Sequence, residues 1–313
     1  TNHPQANHRY GSKTNRCEEH TVRLEATLRM DKGHYYRREI LSVGASTLCT
    51  SPLVAHLPSC LQERSETTPG TILICGGGKL PDSILDRFCE FSDLKNSTLV
   101  LIPTASARSD SGDYSPWLEL WKSRGWQDVL VVHSSDNRTT KDPKFAEQID
   151  QAQAVWITGG DQSRLSERFS GTVLIERLNH LLQRGGVLGG TSAGAAILSK
   201  TMIAGGISEP VMSEGFGILP GVIVDQHFTQ KNRFERLAKA VAMHRKLIGI
   251  GIDESTGLEL RGSKAKVIGL GRIHAYRDQS SPVHWSQEDP IDPSQWSELF
   301  VTSWSTRNQK DHP

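Results

Sequence analysis

From residue 71 onward, short apolar runs alternate with amphipathic stretches. Runs rich in Val, Ile and Leu at 71–75, 98–103, 128–133, 154–158 and 186–190 predict strands. The segments near 81–91, 114–124, 144–151 and 172–184 predict helices between them. Continuous apolar strands separated by helices imply an α/β fold with a mainly parallel sheet covered on both faces. After residue 192 the pattern changes. Gly221-Val222-Ile223-Val224 predicts another strand, and Phe234, Leu237, Ala238 and Val241 fall at helical spacing within 231–243. Shorter runs near 248–252, 256–261, 265–270 and 272–276 predict an antiparallel extension. Residues 279–313, with Pro282, Pro290 and Pro293, show no period and read as an irregular C-terminal extension of a folded domain spanning 71–278.

The segment before residue 71 has a different character. Residues 1–29 are polar without sustained periodicity and read as an upstream or disordered segment. Residues 30–60 begin with Met30, carry Arg37-Arg38 before Ile40-Leu41, and continue as an uncharged, modestly apolar run. A basic start followed by a short apolar run describes a signal peptide, here of twin-arginine type. The expectation is export to a periplasmic or extracellular location. Leu57-Pro58-Ser59-Cys60 loosely resembles a lipoprotein cleavage site, which would put a lipid anchor on Cys60. The alternative is a leader with no address on a cytoplasmic protein. Residues 61–70 read as a linker.

Composition narrows the function classes. With 36 basic and 35 acidic side chains the net charge is +1, so there is no broad field to attract nucleic acid, and any charged substrate must be held locally. The five cysteines lack zinc spacing and form no dense disulfide framework. No metal cluster is apparent. Gly76-Gly77-Gly78-Lys79 has neither Walker nor dinucleotide spacing, so no nucleotide cofactor is expected.

Sites in open parallel sheets form beyond the carboxyl ends of the strands. Four such ends carry glycine or polar turns: Gly76-Gly77-Gly78, Pro103-Thr104-Ala105-Ser106, Gly159-Gly160-Asp161-Gln162 and Gly189-Gly190-Thr191-Ser192. Ser192 stands between a buried strand and the small-residue segment Ala193-Gly194-Ala195-Ala196. A nucleophilic serine on a sharp strand-to-helix turn needs small neighbours so that the backbone can reverse. The pentapeptide Gly190-Thr191-Ser192-Ala193-Gly194 by itself fits a helix N-cap as well. An oxyanion hole would combine the Ala193 N–H with one from the Gly159-Gly160 turn, for which Gly160 is the choice.

A serine hydroxyl needs a base and the base an orienting carboxylate. His227 follows the strand ending Val224-Asp225-Gln226, and Glu254 follows Gly249-Ile250-Gly251-Ile252-Asp253. Each also fits an ordinary strand end. The order Ser, His, Glu differs from the Ser, acid, His order of α/β-hydrolases.

Taken together, several stretches resemble the cyanophycinase and peptidase E family of serine peptidases, on the cyanophycinase branch. They are Ile157-Thr158-Gly159-Gly160-Asp161-Gln162, Gly190-Thr191-Ser192-Ala193-Gly194-Ala195, Leu219-Pro220-Gly221, Asp225-Gln226-His227-Phe228, Arg233, Arg236-Leu237 and Gly249-Ile250-Gly251-Ile252-Asp253-Glu254, in family order. The resemblance implies a three-layer α/β/α fold like class I glutamine amidotransferases, a homodimer, and a catalytic Ser192-His227-Glu254 triad. It implies cleavage of cyanophycin, a polyaspartate carrying arginine on each side-chain carboxyl, to β-aspartyl-arginine dipeptides. An aspartyl or isoaspartyl dipeptidase and a non-catalytic exported binding module are the alternatives. For such a substrate, Lys231, Arg233 and Arg236 would meet its carboxylate. Asp161 and Asp225 would meet its guanidinium, and Gln162 and Gln226 its peptide groups. The pattern commonly has arginine where this chain has Lys231, which keeps the charge and loses the planar two-point grip.

Overall fold

The computed structural model describes residues 70–278 and 280–291. The leader, the linker up to residue 69, Cys60 and residues 292–313 lie outside the described residues.

Strands and helices alternate in chain order through β1 (Thr71–Cys75), α1 (Asp82–Cys89), β2 (Thr98–Ile102), α2 (Ser115–Ser123), β3 (Asp128–Val131), α3 (Asn137–Thr140) and β4 (Ala154–Ile157). They continue as α4 (Gln162–Phe169), α5 (Val173–Gln183), β5 (Val187–Thr191) and the single turn α6 (Ala193–Ala196). After these come β6 (Thr201–Gly205), β7 (Val211–Glu214), β8 (Val222–Gln226), α7 (Phe234–Met243) and β9 (Ile248–Ile252). The last elements are β10 (Thr256–Arg261), β11 (Lys264–Gly269), β12 (Ile273–Tyr276) and β13 (Val283–Trp285).

The main sheet has seven strands in the order β11-β10-β1-β5-β4-β2-β3. Strands β1, β5, β4, β2 and β3 are parallel, while β10 and β11 add an antiparallel edge. Successive residues of a strand point to opposite faces, and both faces are covered. Ile72 and Ile74 join a core with Leu174, Leu178 and Leu181 of α5. Leu73 and Cys75 join a second core with Phe88 of α1, Trp121 and Trp156. A four-stranded sheet, β13-β12-β9-β8, lies on the first of these cores through Val222, Val224, Ile250 and Ile252. Its other side holds Ile223, Leu237 and Val241 against α7. This is the α/β architecture with a covered, mainly parallel sheet that the alternation predicts, and the layered arrangement that the resemblance implies.

The structure departs from the sequence pattern in several places. The stretch 144–151 forms only a 3-10 turn at Glu147–Asp150. Helix α4 and the hairpin of β6 and β7 were not legible, the first because Gln162-Ser163-Arg164 opens it on polar residues. α7 starts at Phe234 and buries Arg236, Leu237, Ala240 and Val241; Phe234 and Ala238 are exposed. The helix is rotated from its apolar reading because Arg236 turns inward to a buried carboxylate. The run at 248–252 pairs antiparallel with β12 on one side, as expected, and in parallel with β8 on the other. The stretch without period contains β13, which extends the second sheet and buries Trp285.

Candidate active site

The parallel strands of the main sheet end on one edge, and the turns beyond them form the site together with the turns that follow β8 and β9 of the second sheet. β5 carries Ser192 on its last bend, at φ 52° and ψ −111°. A non-glycine residue there is strained by about 1–3 kcal/mol. The surroundings hold it in place: Ser192 N donates to Cys75 O at 2.9 Å, and Ala195 and Ala196 N donate to Ser192 O at 3.0 Å. A Cβ added at Gly190 would stand 2.3 Å from Gly194 O, so the turn closes only with glycine at that position. The Ser192 side chain makes no cap hydrogen bond. The capping reading of this residue is therefore excluded by geometry.

The hydroxyl instead lies 2.9 Å from His227 Nε2, and His227 Nδ1 lies 2.5 Å from Glu254 Oε1. With Nδ1–H donating to the carboxylate, Nε2 carries the lone pair that accepts the serine proton. His227 also sits at a positive φ, 48°, as does Ser255 beside Glu254, at 58°. All of them lie on sharp bends just past strand ends.

Several contacts tie these bends together. His227 N donates to Gly76 O at 2.8 Å, and Ser255 N donates to Gly77 O at 3.0 Å. Phe228 N donates to Ile252 O at 3.1 Å. Glu254 N donates to Gln230 Oε1 at 2.9 Å. Asp253 Oδ1 accepts from Thr229 N at 3.2 Å and from Thr229 Oγ1 at 2.8 Å. Asp253 also accepts from His274 Nε2 at 3.2 Å and from Arg272 N at 3.0 Å. Burial works to raise the Asp253 carboxyl, but the hydrogen bonds from His274, Thr229 and the Arg272 N–H outweigh it and hold the group below the ordinary carboxylate range. Sequence reading placed Gly77 at a strand-end turn and Asp253 in the stretch before Glu254 without giving either a role, and it did not single out Thr229. The double acid Asp253-Glu254 was the available signal, since one carboxylate faces the imidazole and the other braces the loop that carries it.

Cys75 ends the neighbouring strand, with its carbonyl accepting from Ser192 N, and burial pushes its thiol far above the ordinary range. A protonated, buried thiol leaves the hydroxyl as the nucleophile of this pair.

The other predicted residues divide into two groups. Asp225 is only 1% exposed and pairs with Arg236 and Arg233; Arg236 Nε reaches its Oδ2 at 3.0 Å. Arg236 also donates to Gly206 O at 2.6 Å. Arg233 Nη1 donates to Gln226 O at 2.5 Å and bonds Gln226 Oε1. Gln162 is buried, with its amide nitrogen on Ile203 O at 2.9 Å and Ala204 O at 3.0 Å. Asp225, Gln226, Arg236 and Gln162 thus spend their polar groups inside the protein, and Arg233 spends one nitrogen there. These carboxylates and guanidiniums satisfy one another because a buried charge without a partner is costly. That corrects the expectation that Asp225 and Arg236 meet substrate charges.

Asp161 and Lys231 are different. Asp161 is exposed and caps α4 by accepting from Ser163 N at 2.8 Å. Lys231 is exposed and has no ion-pair partner among the described residues. In the turn opposite His227, a Cβ at Gly159 would stand 3.3 Å from Ser192 Cβ, so Gly159 lies against the serine. Gly160 packs on Ala105 and Ser106 instead.

A family model described as peptidase family S51 matches residues 72–268. A cyanophycinase from Geminocystis herdmanii is 35% identical over 215 residues, covering 65% of this chain and 79% of that protein. A cyanophycinase from Synechococcus elongatus is 33% identical over 216 residues, covering 65% of this chain and 67% of that protein. The solved structure of a peptidase from an acI-B1 Actinobacterium shares the fold, with a TM-score of 0.58 at 24% identity over 72% of this chain and 98% of that one.

Proposed function

The chain belongs to peptidase family S51 and is a serine-type peptidase; from that membership we propose that it hydrolyses cyanophycin, releasing β-aspartyl-arginine dipeptides as an exopeptidase. The observation that carries the chemistry is the line of contacts from Ser192 Oγ through the His227 ring to Glu254, at 2.9 Å and 2.5 Å. The similarity to named cyanophycinases supports the substrate.

In this reading His227 takes the Ser192 proton as Oγ attacks the scissile carbonyl. The new C–O bond forms while the carbonyl π pair moves onto oxygen. The Ala193 N–H and an N–H of the Gly159-Gly160 turn stabilise that oxyanion, and losing one such donor typically costs on the order of a hundredfold or more. Protonated His227 then gives its proton to the leaving amine as the C–N bond breaks. A water molecule, deprotonated by the same imidazole, releases the acyl group from Ser192. Glu254 keeps Nδ1–H in place and stabilises the imidazolium without taking its proton.

Each cyanophycin unit carries one free carboxylate and one guanidinium. Lys231 and Asp161 offer an unpaired cation and an exposed anion for them. The homodimer and the export of the chain belong to the same proposal, the latter on Arg37-Arg38 and the apolar run that follows.

The test is mass spectrometry of the products from purified cyanophycin. Release of β-aspartyl-arginine supports the proposal. Turnover of α-aspartyl dipeptides with cyanophycin left intact would replace it with the dipeptidase reading.

A further inference from the structure

The edge of the main sheet that carries Ser192 continues past it to β3, and a second recess opens there. It encloses about 270 Å³ and is lined by Val132, His133, Thr139, Asp142, Lys144 and Phe145, among others. Asp142 and Lys144 are both exposed, and neither has an ion-pair partner among the described residues. Asp142 Oδ1 accepts from Lys144 N at 2.8 Å, which fixes the bend between them. Phe145 is half-buried and presents an aromatic surface at the same place.

A continuous run of contacts joins this recess to the serine. Gly159 lies against Ser192, and Gly160 next to it lies against Ala105. Asp161 N donates to Ala105 O at 2.9 Å. The neighbouring Thr104 Oγ1 meets His133 Nδ1 at 2.8 Å, and His133 forms the inner wall of the recess. Arg164 braces the junction by donating to Thr104 O at 3.0 Å and to Asp110 Oδ2 at 2.6 Å. The recess and the nucleophile therefore open at strand ends on one edge of one sheet.

We propose that this recess is a second subsite for a polymeric substrate, binding a unit of the chain remote from the scissile bond through Asp142 and Lys144. The inference rests on the function proposed above. Its chemistry follows from the charges: a carboxylate accepts the substrate guanidinium, an ammonium meets the substrate carboxylate, and the Phe145 ring covers the arginine stem or its cation. Spacing fits a polymer. Strands stand about 4.8 Å apart, so β3, three strands from β5, ends roughly 14 Å from Ser192, or about four residues of extended backbone. A two-unit substrate has too short a backbone to span that distance, whereas a long chain reaches both places at once and gains from double attachment.

The experiment compares long cyanophycin with a two-unit oligomer, using the full chain and the Asp142→Asn/Lys144→Gln variant. The expected result is a KM for the polymer raised about tenfold, with kcat unchanged and two-unit turnover unchanged. Lys144→Arg should keep the polymer KM near wild type. Binding of fluorescently labelled polymer to Ser192→Ala, with and without the two substitutions, measures the same contact apart from turnover. Equal polymer KM values, or equal polymer binding in the two Ser192→Ala proteins, would overturn the subsite. Wild-type protein that releases no dipeptide from either length would instead overturn the proposed function, while the binding comparison still decides the recess.

Discussion

Gly77 and His227 occupy adjoining space that admits no further atom: a Cβ on Gly77 would stand 2.4 Å from His227 Cε1 and 2.5 Å from Nε2. Gly77 also has a φ of +98°, which side chains rarely adopt. Its carbonyl receives Ser255 N, so the glycine cannot simply move away. Gly77→Ala is expected to lower kcat/KM by about a hundredfold, because a displacement near 1 Å costs on that order. Steady-state kinetics check this, and circular dichroism should remain that of a folded protein.

Glu254→Gln tests the third member of the line. Glutamine fits the space but turns an acceptor of full charge into an amide, which leaves the imidazolium unsupported and permits the wrong tautomer. The expected loss is in kcat, by about a thousandfold or more, with KM little changed. A loss confined to KM would place Glu254 in substrate binding instead.

Asp253 braces the loop of His227 through Thr229, and its carboxylate accepts from Thr229 N and Oγ1, Arg272 N and His274 Nε2. Asp253→Asn puts an amide donor against one of those N–H or O–H groups, at a cost of about 1–3 kcal/mol. A lower melting temperature and a kcat down about tenfold are expected. The pH dependence has a definite sign. The folded carboxyl lies below its ordinary value near pH 4, so its stabilising contribution is complete above that pH and is lost as pH falls through the lower, folded value. The difference in melting temperature between wild type and Asp253→Asn should therefore persist down to about pH 4 and shrink below it.

Arg236→Ala separates an internal pair from a substrate contact. It strands the Asp225 carboxylate, 1% exposed, beside a single remaining guanidinium. Breaking such a pair destabilises by about 3–5 kcal/mol, and thermal unfolding will show it. Lys231→Ala, at an exposed cation, should leave the melting temperature alone and raise KM for cyanophycin. Lys231→Arg should keep KM at or below wild type, because its planar fork meets a carboxylate at two points.

Much of this was legible along the chain because the main sheet is built from local signals. Apolar runs such as Thr71–Cys75 and Val187–Thr191 announce parallel strands, and Gly190 with Gly194 announces the turn that exposes Ser192. His227 and Glu254 could be placed at strand ends, and their pairing came from family resemblance rather than spacing. What stayed hidden depends on contacts between distant segments. Arg236 and Asp225 look like surface charges in sequence and become a buried pair only when α7 packs on β8. Gly77 looks like any strand-ending glycine until the His227 ring is laid over it. The recess at β3 has no motif, because it joins β3 to the unrelated segment 139–148.

The most direct test of the central claim is the site of reaction with a serine-directed phosphonate, read by intact mass and peptide mapping. The account predicts one adduct per chain, on Ser192, absent from Ser192→Ala and formed at least a hundredfold more slowly in His227→Ala. An unmodified Ser192, or an adduct on another residue, in protein that still releases peptide products would contradict it.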